Sequence, residues 1–376
     1  MTPSRLRIAF IGARGVGGRY SGIETYYEEV GSRLAERGHE VTAYCRSYFT
    51  PDVATLRGIR IRRLPCIRSK HLETITHSLL STVDSFREPF DVIQFHAIGS
   101  APLSLLPRLA GRTTVLSVRG LDWQRAKWGG FARSVLKFGE WASARCPTAT
   151  VVVSRTLQDH YAGVHGRRPF CIPNAVLSAS PREPDRIKQY GLAARSYILF
   201  SGRLSPEKGV DVLLDAMRPL RGRIKLVMAG GSSYSDSYID ALHRAAWDDV
   251  MFLGTVDRET MQELYSNCYA YVLPSQMEGL SIALLEAVSF GACIVTTNIP
   301  ENIEVVEDAA LTFAPGDVPT LSGHLKQLLD DPQLVTTYRQ KAAAHAAAQP
   351  DWDEVAQRTE NLYYEILSPR LVAATP

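Results

Sequence analysis

The 376-residue sequence exceeds what one ordinary hydrophobic core needs, so two domains are expected, and 45% hydrophobic with 22% charged residues describes a globular chain. No uncharged apolar run is long enough to span a bilayer, no signal peptide is expected ahead of a strand at Arg7, and six scattered cysteines argue for a reducing cytoplasm over a disulfide frame or zinc site. The net charge of +3 is the sum of +12 over residues 1–180 and −9 over residues 181–376, so the front half should attract anionic partners.

Strands are predicted at residues 7–11, 41–45, 59–64, 92–95, 114–118 and 148–153, with helices at 23–37 and 130–144. Short apolar strands separated by helices imply a parallel, doubly wound α/β sheet. Arg57, Arg60, Arg62, Arg63, Arg68 and Lys70 crowd one fourteen-residue stretch. Without aromatic interleaving this is no nucleic-acid motif; a solvated strand edge and a contact with anionic lipid headgroups both fit. A second domain of the same plan follows, with strands at 197–200, 224–229, 250–253, 270–273, 293–297 and 311–314, and helices after Val318. Asp257 reads as a helix cap. The boundaries are 1–177, a linker at 178–190, 191–350, a terminal helix at 351–369 free to cross back to the first domain, and a disordered tail at 370–376. Two such domains are expected to face each other across a central cleft.

Met277 to Glu286 concentrates the chemistry. It follows the apolar run Ala270–Leu273 and opens a helix whose first turn is expected to contain Gly279 and Ser281, and such a start binds anions through free N–H groups and the helix dipole. Glu286 is the only charged side chain between Gly279 and Pro300 and shares its face with Ile282, Ala283 and Ser289, so it should meet a partner inside the fold. Gly202 to Gly209 follows another strand and offers Arg203 as a planar fork and Lys208 as a point charge, suited to a diphosphate. Gly230-Gly231, after a third strand, would let a ligand approach closely.

In the first domain, the glycines from Gly12 to Gly22 do not make a dinucleotide fingerprint, and no acidic ribose ligand follows the second strand, which disfavours a nicotinamide-dependent oxidoreductase. Their amides suit a phosphate or sugar. His96, just past a strand at the cleft edge, is either structural or functional. Arg119 to Trp128, with Asp122, Trp123, Lys127 and Trp128, offers flat faces and polar groups for a carbohydrate, or packs as a loop. There is no Gly-x-x-x-x-Gly-Lys-Ser/Thr loop for nucleotide hydrolysis, and no His, Cys or carboxylate cluster has metal spacing. Asp351-Trp352-Asp353 reads as a cap rather than a metal-binding Asp-x-Asp.

Together, Glu278-x7-Glu286, Gly-Arg-Leu-x-x-x-Lys-Gly at Gly202–Gly209, Gly-Ile-Glu-Thr at 22–25 and Gly-His-Glu-Val at 38–41 resemble the retaining glycosyltransferases of family four, over nearly the whole chain. The first domain looks like the bacterial branch that includes β-1,4-rhamnosyltransferases of capsule and polysaccharide assembly. The resemblance implies the two-domain GT-B fold, no cofactor and no metal ion. It implies a nucleotide-sugar donor, with dTDP-rhamnose favoured and UDP- or GDP-sugars open, and a saccharide or lipid-linked saccharide acceptor in the cytoplasm or at the inner face of the membrane. Arg203 and Lys208 would hold the diphosphate, Glu286 the ribose and Glu278 the transferred sugar. The backbone of Gly279, Leu280 and Ser281 would meet sugar and phosphate, Gly202 and Gly230 would line the donor, and Gly17 and Gly18 would close over the phosphates. His96 would join Glu278, Arg203 and Lys208 in catalysis and, with Arg119 and the Asp122–Trp128 loop, would serve the acceptor. Two positions depart: relatives usually show His at Arg119 and Gly-Gly at Ser21-Gly22. A nucleotide-sugar epimerase or a silent sugar-binding subunit are the competing readings.

Overall fold

The computed structural model describes residues 5–17, 22–69, 72–124, 129–175, 180–231 and 236–373. The chain divides into two units, Met1–Asn174 with Trp352–Pro376, and Ala175–Asp351.

In the first unit the chain runs β1 (Arg7–Ile11), α1 (Gly22–Glu36), β2 (Glu40–Arg46), β3 (Thr55–Leu56), β4 (Ile59–Leu64), α2 (Glu73–Asp84), β5 (Val92–His96), α3 (Leu105–Leu109), β6 (Thr113–Val118), α4 (Gly130–Ser143), β7 (Ala149–Val152), α5 (Arg155–His165) and β8 (Phe170–Cys171). The sheet order is β3-β4-β2-β1-β5-β6-β7-β8, parallel throughout except for the β3–β4 pair. Central β1 registers Ile8 against Val41 on one side and Val92 on the other. Runs such as Ile8-Ala-Phe-Ile11 are buried on both faces, which is why they read as continuous apolar segments. The C-terminal helix, Trp352–Ala373, packs on α1: Asp353 pairs with Arg33 at 3.1 Å, Glu360 with Arg37 at 2.9 Å and with His39 at 2.8 Å. It continues to Ala373, four residues into the tail expected to be disordered from residue 370.

Helix α2 is built inside out. His77, Ser78, Ser81 and Thr82 are buried, whereas Ile75, Leu79, Leu80 and Val83 are exposed. The buried hydroxyls of Ser81 and Thr82 are satisfied by the carbonyls of His77 and Ser78, at 2.8 and 2.7 Å.

The second unit contains β9 (Tyr197–Ser201), α6 (Val210–Met217), β10 (Lys225–Ala229), α7 (Asp236–Ala245), β11 (Val250–Gly254), α8 (Arg258–Asn267), β12 (Ala270–Leu273), α9 (Ile282–Ser289), β13 (Ile294–Thr297), α10 (Pro300–Val306), β14 (Ala310–Phe313), α11 (Val318–Asp330) and α12 (Pro332–Ala348). Its all-parallel order, β11-β10-β9-β12-β13-β14, reverses direction at β9. The loops after β9, β10, β12 and β13 therefore leave the same sheet edge around a topological switch point. One core of Val, Leu, Ile and aromatic side chains fixes this edge from below. Asp257 caps α8, its Oδ1 accepting from the Thr260 amide at 2.9 Å.

Candidate functional site

At the switch point of the second unit, Lys208 Nζ lies 2.5 Å from Glu278 Oε1, joining the loop after β9 to the loop after β12. Both side chains are largely buried, at 14% and 9% exposure, so the pair is shielded from solvent screening. Arg203 is half-buried beside it and reaches Glu207 at 3.9 Å. The loops are clamped by backbone as well: the Gln276 amide donates to the Glu207 carbonyl at 2.9 Å. Two glycines make this approach possible. A Cβ on Gly230 would stand 1.8 Å from the Gly202 carbonyl oxygen, and one on Gly209 would stand 2.3 Å from that of Pro274; both have positive φ.

Ser281 is the N-cap of α9, its Oγ accepting from Leu284 N at 3.3 Å, and the helix begins at Ile282. Gly279 and Leu280 thus precede the helix, a correction to the expected first turn: Ser281 takes the capping conformation and excludes them. Glu286, half-buried on α9, shares a hydrogen bond with the Tyr265 hydroxyl, which also meets Ser201 Oγ at 2.6 Å. Its interior partner is a tyrosine; burial, then the Glu286 charge, pushes that phenol well above its ordinary range.

One carboxylate at this edge escaped the sequence reading. Burial, helped by nearby Glu278 and Glu304, raises the Glu301 carboxyl above the usual range. Its signal was the same as for Glu278: an acidic residue shortly after a buried apolar strand, here at the start of α10. Asn302 braces the loop, donating to Thr296 and Thr297 hydroxyls at 3.0 and 2.9 Å.

In the first unit the glycine loop after β1 is held by side chains. Amides of Ala13, Arg14, Val16 and Gly17 donate to Tyr27 (3.2 Å), Glu24 (3.0 Å), Thr50 (3.3 Å) and Glu28 (2.7 Å). An anion using the Arg14 and Gly17 amides has to displace two carboxylates. His96 ends β5, but not at an exposed edge as expected: it is 0% exposed, enclosed by the rings of Tyr27, Tyr26 and Phe10 at 4.9, 5.2 and 5.7 Å. Burial, with Arg119 nearby, holds its imidazole well below the usual range, so it is neutral. Arg119, directly after β6, places its guanidinium 4.1 Å above the Tyr26 ring and donates to Asn174 Oδ1. Burial lowers its pKa to about 10. Trp123 donates to Glu140 Oε2 at 2.5 Å. Gly18, Ser21, Lys127 and Trp128 lie outside the described residues, as does the side chain of Asp122.

The arginines of the 57–70 stretch are mostly paired: Arg57 with Glu29 (3.4 Å), Arg62 with Asp84 (2.8 Å), Arg60 with Glu88 and Arg63 with Asp52. Sequence spacing predicted no metal-type cluster, yet folding brings Glu140, His160 and His165 together. Among the described residues no helix is long and apolar enough to cross a membrane.

Residues 183–345 match the family "Glycosyl transferases group 1", and residues 21–175 match "Glycosyl transferase 4-like domain". O-antigen chain mannosyltransferase B of Escherichia coli is 32% identical over 198 residues, about half of either chain (49% of this one, 50% of the relative). D-inositol 3-phosphate glycosyltransferase of Acidothermus cellulolyticus is 26% identical over 400 residues, covering 95% of this chain and 88% of the relative. Among solved structures, sucrose-phosphate synthase of Thermosynechococcus elongatus superposes with TM-score 0.82 at 20% identity, over 97% of this chain and all of that one. Anabaena HepE, in complex with UDP and glucose, gives 0.80 at 18% identity, over 96% and 100%. These likenesses establish the GT-B fold, with two parallel-sheet α/β units and C-terminal helices. Each unit is thus similar to a glycosyltransferase domain, the first to the 4-like family over residues 21–175 and the second to group 1 over residues 183–345.

Proposed function

We propose that the chain is a retaining hexosyltransferase that takes its sugar from a nucleoside diphosphate and passes it to a saccharide or lipid-linked saccharide in surface polysaccharide assembly. The observation that carries this reading is the buried Lys208–Glu278 pair beside Arg203 and the start of α9. It gathers two cations and a helix N-terminus where a diphosphate leaving group would develop charge. Arg203 and Lys208 stabilise that charge, Glu278 meets the sugar, and Glu286, oriented by Tyr265, takes the ribose hydroxyls. Backbone at Gly202, Gly230, Gly279, Leu280 and Ser281 lines the donor. The acceptor hydroxyl attacks from the face the phosphate leaves, and a phosphate oxygen takes its proton. Arg119 and Trp123 serve the acceptor, while buried His96 positions Tyr26 and Tyr27 beneath it.

For the donor, the first-domain motifs favour dTDP-rhamnose. A second reading, GDP-mannose, is favoured by relatives such as the Mycobacterium tuberculosis GDP-mannose-dependent mannosyltransferase, 26% identical over 385 residues. Thermal unfolding with dTDP, UDP and GDP tests both: the cognate nucleotide at 100 times its Kd stabilises by about 2.7 kcal/mol. No shift with any of the three overturns the assignment, and product released without acceptor would mean an epimerase.

We also propose peripheral contact with an anionic membrane, through the exposed apolar faces of α2, α3 and α4 rather than the paired arginines at 57–63. Leu79, Val83, Leu109, Phe131 and Phe138 are among the exposed residues, and Arg133 and Lys137 flank them on α4.

A further inference from the structure

Glu140, from the third turn of α4, meets two histidines of α5 that lie five residues apart, the second being its last residue before left-handed Gly166. One carboxylate oxygen, Oε1, stands 2.7 Å from His160 Nε2 and 2.8 Å from His165 Nε2. The other, Oε2, accepts from the Trp123 indole. Glu140 is buried and both imidazoles are half-buried. Burial alone would raise the Glu140 carboxyl, but hydrogen bonds from His160, His165 and Trp123 outweigh it and hold the group below the ordinary carboxylate range. It is therefore ionised at neutral pH.

Two imidazole nitrogens and one carboxylate oxygen, all within 4.8 Å of one another, are a donor set suited to zinc and its neighbours rather than to calcium or magnesium. Metal–ligand bonds of about 2.0–2.1 Å in a tetrahedral arrangement put donor atoms roughly 3.3 Å apart, so the two N···O contacts need open by only about half an ångström. The indole N–H on the outer oxygen is the kind of bond that fixes a ligating carboxylate from its second shell.

We propose that Glu140, His160 and His165 bind a divalent transition-metal ion of the zinc class, oriented by Trp123. Its occupancy pins the turn at Asp122–Gln124, just after β6, to α4 and α5. The site lies within the first unit and touches none of the groups assigned to the donor; on the acceptor side it shares Trp123, through the indole bond to Glu140.

The test uses the full chain, stripped by a chelator and titrated with Co2+ and then Zn2+. One equivalent of Co2+ should give the strong visible absorption of a four-coordinate site and be displaced by Zn2+. The variant His160→Gln/His165→Gln should lose that band, and Trp123→Phe should bind about 10- to 100-fold more weakly. A wild-type chain without the band at one equivalent overturns the proposal, as does a band that survives in the double variant. If the double variant does not fold, Trp123→Phe decides alone, since it removes only the indole N–H: unchanged cobalt affinity overturns the site.

Discussion

Lys208 and Glu278 lie seventy residues apart in sequence and 2.5 Å apart in the fold, so a substitution at either also strands its partner. Lys208→Ala should lower turnover at least about tenfold, because losing one donor to developing charge costs ~2.7 to 4 kcal/mol; an unchanged steady-state rate removes Lys208 from the mechanism. Glu286→Ala should act on nucleotide affinity instead, by roughly 1.5 to 3 kcal/mol for a charged hydrogen bond. Titration calorimetry decides, and equal affinities would detach Glu286 from the ribose. Buried His77 gives a pH signature. Burial, with the Arg46 charge, pushes its pKa down to about 4. The unfolded imidazole titrates near 6.5, so it takes up its proton first: stability is full above that pH and falls as pH drops toward 4, by about 3 kcal/mol. His77→Leu should flatten that part of the profile, and parallel wild-type and variant curves would refute it. Arg203, Lys208 and Glu278 were legible because each follows a buried strand within a few residues, and Glu286 because it is the only charged side chain between Gly279 and Pro300. The enclosure of His96 was not, since the rings around it come from β1 and α1.

Among the elements, the regular strands could be read to within a residue or so, most of them because both faces are buried and the apolar runs are unbroken; β4, with its alternating arginines, is the exception. Helix α2 could not be read, because its pattern is inverted: a periodicity argument looks for apolar residues facing a core, and here serines, a threonine and a histidine face it. The short strands β3 and β8 offer only two residues each, too few for any pattern. The loops of the donor edge depend on backbone proximity that only glycine allows, which yields a comparison. Gly230→Ala drives a Cβ into the Gly202 carbonyl, both backbone, so it should cost roughly 3 kcal/mol or more. Gly222→Ala meets open space at φ +74° and pays only the left-handed conformation, about 1 kcal/mol. Chemical denaturation of the two variants checks this; equal losses would mean that the β9 and β10 loops yield easily.

On the scale of the whole molecule, the +12 of the first half looked like a free cationic surface. Much of it is consumed in ion pairs, among them Arg33, Arg37 and Arg46 with Glu29, Glu360 and Glu73. Summing charges along the sequence cannot reveal this, because the partners lie up to 323 residues away. What remains is a set of apolar side chains on α2, α3 and α4, all three bordering the 3-10 segment Ile98–Ser104, with Phe131 exposed at 85% and Phe138 stacked on Trp141. Water offers these groups nothing, whereas a headgroup interface takes up aromatic rings and basic side chains together. Sedimentation with vesicles containing phosphatidylglycerol should carry the protein down, and far less so with neutral vesicles. Arg133→Glu with Lys137→Glu should weaken that binding by at least ~2 kcal/mol, about thirtyfold, at about 1 kcal/mol per basic residue. Phe131→Ser should weaken it about tenfold, at roughly half the 1.5–3 kcal/mol of a fully buried phenylalanine. None of the three side chains is buried, so the melting temperature should stay put. Binding that is equal on neutral and anionic vesicles, or equal in the variants, would remove the membrane from the account and leave these helices as a surface for another protein.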